Sequence, residues 1–325
     1  MICCASGAIK VTSMASSSPE VPIEHLRFDN RVAVITGAGR GLGRAYALLL
    51  AARGARVVVN DSGTSLTGEG TDPTPAGQVV DEIRAAGGQA VASPVSVATP
   101  EGGQAIIDTA LAEFGGVDIV IHNAGTVRRG SLAQLSYDDF ESVLGVHLRG
   151  AFHVVRPAFP LMCSAGYGRV VLTSSIGGLY GNHDVANYAV AKAGLIGLSN
   201  VVALEGAAHG VKCNVIVPSA VTRMAEGIDI SAYPPMDPDL VAPVVGWLAH
   251  ESCSITGEML ISAAGRTARA AIVESPGVYR QSWTIEGVGA ALPKIMDLAA
   301  PVHFPVVPDG HADHIRYSFE MARHG

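Results

Sequence analysis

Charge is scarce in this chain. Only 16% of its 325 residues are Asp, Glu, Lys or Arg, and just four of the 22 basic residues are lysines. The 29 acidic residues leave a formal net charge of −7. A polyanion therefore gains no general attraction, and nucleic acid is not an expected partner. Cysteine is sparse and unpatterned. Cys3, Cys4, Cys163, Cys213 and Cys253 are odd in number and form no CxxC or CxxH pair, which excludes a disulfide framework and a zinc knuckle. Buried reduced thiols are the expectation. No uncharged apolar run reaches the ~18 residues of a membrane span. The first 20 residues, MICCASGAIKVTSMASSSPE, lack a basic segment followed by an apolar one, so no signal peptide is expected. These absences predict a cytoplasmic protein with no membrane partner. His311 and His314 flank Asp313 closely enough to suggest a metal, but no third ligand is in register, and no metal is expected.

What is present is a large apolar fraction, 48%, enough for a substantial core. Residues 1–28 are Ser-rich and aperiodic and read as a flexible leader. From there short apolar runs alternate with helix-length segments. Strands are expected at Arg31–Thr36, Ala55–Asn60, Ala90–Ser93, Val117–His122, Arg169–Thr173, Val211–Val217 and Glu258–Ile261. Helices are expected at about 41–53, 76–87, 100–115, 136–165, 187–209 and 239–250. Continuously apolar strands are covered on both faces, and strict alternation means a parallel sheet. The expectation is a Rossmann-like, doubly wound α/β sheet of about seven strands, a single domain over 29–265. Two segments break the rhythm. Residues 61–75 form a Gly-, Thr- and Pro-rich insertion, either functional or mobile. Residues 266–325 are Pro-rich and read as an extension packed on the core.

The first strand runs into Thr36-Gly37-Ala38-Gly39-Arg40-Gly41-Leu42-Gly43, a T-G-x-x-x-G-x-G turn. Glycines let such a turn tighten, let the backbone approach a pyrophosphate, and let helix pack on strand, while the helix N-terminus faces the anion. Asp61 closes the second strand, where a carboxylate accepts the hydroxyls of an adenosine ribose; Asp61-Ser62-Gly63 is also good turn chemistry. Arg40 could instead reach a 2′-phosphate. The fixed carboxylate is expected to prevail, which predicts NAD over NADP. Tyr188 and Lys192 stand at i, i+4 and share a helix face. Ser175 follows the fifth strand. A hydroxyl, a phenol and a cation together make a proton-transfer device suited to hydride chemistry.

Thr36–Gly43, Asn123-Ala124-Gly125, Ser175, Tyr188 and Lys192, in this order, resemble the short-chain dehydrogenase/reductase family over about residues 28–265. The resemblance implies strand order 3-2-1-4-5-6-7. It implies Tyr188 as general acid/base, Ser175 on the reacting oxygen, Lys192 on the nicotinamide ribose and depressing the Tyr188 pKa, and Asn123 steadying the central strand. It places Gly37, Arg40, Gly41, Leu42, Gly43, Asp61, Ser96, Val97, Asn123, Ala124, Gly125, Pro218 and Val221 around the cofactor, with Tyr188 and Lys192. The phrases VHLRGAF, TSSIGGLYGN and HESC, with the insertion after Asp61, are similar to the branch that acts on (3R)-hydroxyacyl-CoA and is also described as a 17β-hydroxysteroid dehydrogenase. In that branch His147 replaces the family's catalytic Asn; as a titrating relay group it is expected to alter the pH dependence below about pH 7. Ser96, Ser219 and Arg223 depart from the family pattern around the cofactor. Arg128 and Arg129 are either CoA-phosphate contacts or solvated surface residues. The implied activity is NAD-dependent oxidation of a (3R)-hydroxyacyl-CoA by a homodimer or homotetramer. A hydroxysteroid dehydrogenase, a 3-oxoacyl thioester reductase and a catalytically silent NAD sensor are the alternatives.

Overall fold

The computed structural model describes residues 25–222 and 233–324. Residues 1–24 of the expected leader, and Arg223, lie outside them. Phe28, at the leader's expected end, is buried, with its ring edge-on to His250.

Among the described residues eight strands form one sheet: β1 Val32–Thr36, β2 Arg56–Asn60, β3 Gln89–Ser93, β4 Ile119–His122, β5 Gly168–Thr173, β6 Val211–Ser219, β7 Met259–Ala263 and β8 Arg266–Ala270. Their order is 3-2-1-4-5-6-7-8. The first seven are parallel, and β8 runs antiparallel to β7. Helices cover both faces because strand side chains alternate. Ala33 and Ile35 of β1 join α1 (Gly41–Ala52), α2 (Thr74–Ala85) and α8 (Ala242–Ala249) in one core. Val32 and Val34 join α3 (Pro100–Phe114), α5 (Gly150–Ala165) and α7 (Ala186–Gly206) in the other. Parallel strands aim their C-terminal ends at one edge, and the order reverses between β1 and β4. A crevice opens there.

Two details go beyond the expectation. The sheet of about seven strands gains β8, which lies in the expected extension. Its sequence, RTARA, carries arginines and alanines rather than the branched residues of a buried strand. Charged side chains suit an edge strand, which needs no apolar run. The available signal was the two-residue turn Ala264-Gly265, both at positive φ (49° and 79°), the geometry of a tight hairpin. The second concerns the expected helix over 136–165. It is interrupted: α4 (Tyr137–Leu144) passes through a π-helical turn, Gly145–Arg149, before α5 begins.

Among the described residues one helical stretch, Ala186–His209, is long and apolar enough to cross a membrane by length and composition alone. It contains α7, which packs against the sheet and buries Lys192.

Candidate active site

A cleft of about 1060 Å³ lies along the C-terminal edge of the sheet. Its first wall is the turn between β1 and α1. Gly37 has φ +63°, and a Cβ there would stand 2.8 Å from the Cα of Ala124. Gly43 does not line the cleft. A Cβ on it would lie 2.2 Å from the Gly37 oxygen, so this glycine lets the helix close onto the turn. Gly37, Arg40, Gly41 and Leu42 do face the cleft. No side chain caps α1, and its first turn holds no acidic residue, which leaves its N-terminal amides and dipole for an anion.

Asp61 stands across from this turn and is clamped on both oxygens. Oδ2 accepts from Gly39 N at 2.9 Å and Oδ1 from Gly63 N at 2.8 Å. The structure has the turn-cap bonds of Asp61, and the same bonds fix its carboxylate in the cleft wall. Asn123 Nδ2 donates to the Gly37 carbonyl (3.1 Å), and the Asn123 and Ala124 amides both donate to Thr36 Oγ1 at 3.1 Å. Ser96, Val97, Ala124, Gly125, Pro218 and Val221 also line the cleft.

At the far end Ser175, Tyr188, Lys192 and His147 converge on the same cleft. Ser175 is the N-cap of α6 (Ile176–Tyr180), its Oγ accepting from Gly177 N at 3.1 Å, and its hydroxyl is near enough to the Tyr188 phenol to favour the phenolate. Burial holds the Tyr188 pKa above 10, with the Ser175 hydroxyl opposing. Lys192 Nζ donates to the Thr173 carbonyl at 2.5 Å and lies 5.6 Å from the Tyr188 ring centroid. Its own pKa is pushed down to about 7 by burial. In this state burial sets the direction of the Tyr188 shift, and Ser175, rather than Lys192, opposes it.

The expected titration of His147 is corrected. Its ring is buried, edge-on to Tyr188 at 5.2 Å, with Nε2 at the backbone of Thr126. Burial, and then the Lys192 charge, hold its pKa well below 6.5, so it stays neutral at ordinary pH. Nδ1 has no partner among the described residues.

The insertion after Asp61 is part of the wall. Thr64, Leu66 and Gly68 line the cleft, and Val127 N donates to the Leu66 carbonyl at 3.1 Å. The two arginines separate. Arg128 is consumed by structure, bonded to the Thr67 carbonyl (2.9 Å) and paired with Asp139 (2.8 Å). Arg129 is exposed and lines the cleft. His314 pairs with Glu274 at 3.1 Å, and no cluster of metal-ligand side chains occurs among the described residues. Cys163, Cys213 and Cys253 are free thiols.

Sequence reasoning missed Asn187 and His122. Asn187 is fully buried. Its Nδ2 donates to the carbonyls of Arg128 (3.0 Å) and Asp139 (3.2 Å), while its Oδ1 accepts from Tyr188 N at 2.8 Å. It thereby pins the start of α7 beside the phenol. A polar residue immediately before the tyrosine at a helix start was the only signal.

An uncapped helix N-terminus, a clamped carboxylate and a continuous cleft fit a nicotinamide dinucleotide, with Lys192 and Tyr188 at the reactive end. A family model described as short chain dehydrogenase matches residues 31–229. Peroxisomal multifunctional enzyme type 2 of Drosophila melanogaster is 48% identical over 87% of this chain and 48% of its own length. Its full-length structure superposes with a TM-score of 0.76, at 40% identity over 92% of this chain and 50% of that one. The present chain thus spans about half that relative. A short-chain type dehydrogenase/reductase of Mycobacterium tuberculosis is 44% identical over 83% of this chain and 95% of its own. With this glycine turn, this Ser-Tyr-Lys cluster and these matches, the chain belongs to the short-chain dehydrogenase family, oxidoreductases of CH–OH groups that bind NAD or NADP.

Proposed function

We propose that the protein oxidises (3R)-hydroxyacyl-CoA to 3-oxoacyl-CoA with NAD as acceptor. The observation that carries the reading is the shared cleft: Ser175, Tyr188 and Lys192 at one end, the clamped Asp61 at the other. Bound nicotinamide would supply the hydride acceptor. Ser175 orients the substrate oxygen, and Tyr188 takes its proton. Lys192 would hold the nicotinamide ribose. His147 supports Tyr188 from the side, and Asp61 would take the adenosine ribose hydroxyls. Arg129, the arginine left free in the wall, suits a phosphate of CoA.

The acyl-CoA substrate rests on the branch resemblance together with the match to about half the length of a multifunctional enzyme. A protonated Tyr188, the state that burial favours, is also the donor needed for the reverse reaction, reduction of a 3-oxoacyl thioester. The reading includes a homodimer or homotetramer. It keeps a cytoplasmic location, which suits free thiols, although the Drosophila relative is named peroxisomal. With NAD followed at 340 nm, (3R)-hydroxyacyl-CoA esters should be oxidised and (3S) epimers should not, because a fixed Ser175–Tyr188 pair and one nicotinamide face leave a single orientation for the transferred hydrogen. Equal rates on both epimers, or turnover confined to free steroid alcohols, would overturn the substrate assignment.

A further inference from the structure

β4 ends in His122, a residue that neither the cofactor turn nor the proton-transfer group uses. It is 1% exposed and does not line the cleft. Its Nδ1 lies 3.1 Å from Thr36 Oγ1, and its Nε2 lies 3.0 Å from the backbone oxygen of His147. Thr36 Oγ1 already accepts two amide protons, from Asn123 and Ala124. With both lone pairs engaged, its own hydrogen has His122 Nδ1 as its acceptor. Nδ1 is therefore bare, and the single ring proton sits on Nε2, donating to the His147 carbonyl. The network fixes the tautomer. It also ties the last residue of β1 to the middle of the π-helical turn.

That turn is where a single bond has leverage. Its five residues leave α-helical spacing, with Gly150 N donating five residues back to the Gly145 carbonyl. His147 sits at its centre. The ring of His147 rests edge-on against Tyr188 and bonds Thr126, while its backbone oxygen is held by His122. We propose that His122 is a positioning residue for the dehydrogenase reaction: its bond to the His147 carbonyl locks the π-helical turn and, through it, the ring that orients Tyr188. The ionisable groups that face this imidazole are Lys192 and His147, with Tyr188 beyond His147. Burial, and then the Lys192 charge, push the His122 pKa down to about 3. It acts as a neutral strut and carries no proton of the reaction.

The inference rests on Tyr188 as the proton carrier. Two variants test it in the full chain. His122→Leu removes both bonds with little loss of volume, and His122→Gln retains an amide donor toward the His147 carbonyl. Sites are counted by NADH fluorescence titration, and turnover is expressed per site. The leucine variant should lose at least tenfold in kcat, keep its NADH Kd within threefold, and displace the Tyr188 limb of the kcat–pH profile. The glutamine variant should recover to within threefold of wild type. A leucine variant within twofold of wild type per site overturns the proposal. So do leucine and glutamine variants equally impaired with an unmoved pH profile, which would make His122 a space-filler. Should the leucine variant not fold, 15N-histidine spectra of the wild type decide. His122 must show a protonated Nε2 and a bare Nδ1 from pH 5 to 9, and the opposite tautomer or a titration in that window refutes the network. Tyr188→Phe separates the two levels: an active Tyr188→Phe variant removes the underlying reading, whereas an inactive one beside an active His122→Leu removes only this inference.

Discussion

The two ends of the cleft are made of different materials. The end proposed for adenosine offers backbone amides, glycines that permit close approach, and a carboxylate held by two N–H donors. The end proposed for proton transfer offers Tyr188, His147 and Lys192, with the His122 strut behind them, and all four are moved from their ordinary pKa by burial first. Backbone donors keep their character wherever they are placed. Buried ionisable side chains take theirs from the surroundings. The first end is therefore defined by geometry and the second by environment, and substitutions should act differently on the two.

The largest contrast is expected from Tyr188→Phe. The ring and its packing on His147 remain, and only the proton carrier is lost. Turnover should fall by at least the ~10²–10⁴ typical of a missing acid/base, with NAD binding nearly intact. Turnover within threefold of wild type would remove Tyr188 from the mechanism. Because burial holds the wild-type phenol above its ordinary pKa, alcohol oxidation, which needs the phenolate, should speed up as pH rises. Ketone reduction should not.

Lys192→Met should damage both turnover and cofactor affinity, because one ammonium serves both. It should also change stability, in a direction set by linkage. The folded-state pKa is about 7 against an ordinary 10.5. Between these values the unfolded chain holds a proton that the folded chain has released, so wild-type stability rises with pH across the interval. The cofactor-free methionine variant lacks this dependence. Its advantage over wild type should be greatest below pH 7, up to about 5 kcal/mol before the lost bond to the Thr173 carbonyl is subtracted. Parallel stability-versus-pH curves for the two proteins would show that Lys192 is not desolvated.

This division also explains what the sequence made legible. The glycine turn, Asp61 and the alternation of strands and helices are patterns of residue type at fixed spacing, and the structure has them where they were expected. The Ser175, Tyr188 and Lys192 positions were legible too, because order along the chain and helical spacing identify them. Their protonation states were not. A cation four residues from a tyrosine suggests a depressed phenol, and only burial, which has no local signature, reverses that. The role of His122 was hidden for a similar reason. Its partners, Thr36 and the His147 carbonyl, are distant in sequence, and one of them is backbone. β8 was missed because an edge strand of Arg and Ala has no apolar period.

Asp61→Ala tests the geometric end. A charge pair at 4 Å is worth about 4 kcal/mol at an effective dielectric of 20, and a screened residue of ~2.8 kcal/mol is still a hundredfold. The wild type should favour NAD over NADP by at least tenfold in kcat/KM, since a clamped carboxylate cannot retreat from a 2′-phosphate. Arg40 is exposed and has a counter-charge nearby in Asp72 of the insertion. Removing Asp61 should narrow or invert the ratio, with kcat for NAD little changed. A variant with unaltered preference would show that the ribose carboxylate has been misassigned.

The smallest effect should come from His147→Asn, and it separates ring from backbone at the same residue. The carbonyl that His122 holds survives the exchange, while the edge-on contact with Tyr188 and the bond to Thr126 are lost or lengthened. Turnover should fall by about tenfold, comparable to the loss expected for His122→Leu because the same ring is affected, and less than the ~10²–10⁴ of a missing acid/base. The kcat–pH profile from pH 5.5 to 8 should keep its shape, because the wild-type imidazole is already neutral there. Stability should respond instead. The folded pKa lies well below 6.5, so below that pH the unfolded chain takes up a proton that the folded chain refuses, and wild-type stability is lost on acidification. The variant lacks this contribution, although His122 still supplies its own. The Tm difference, variant minus wild type, should therefore grow more positive as pH falls from 7 to 5. A kcat limb that shifts in this range while the Tm difference stays flat would mean that His147 titrates in the working enzyme, and would return it to the proton path.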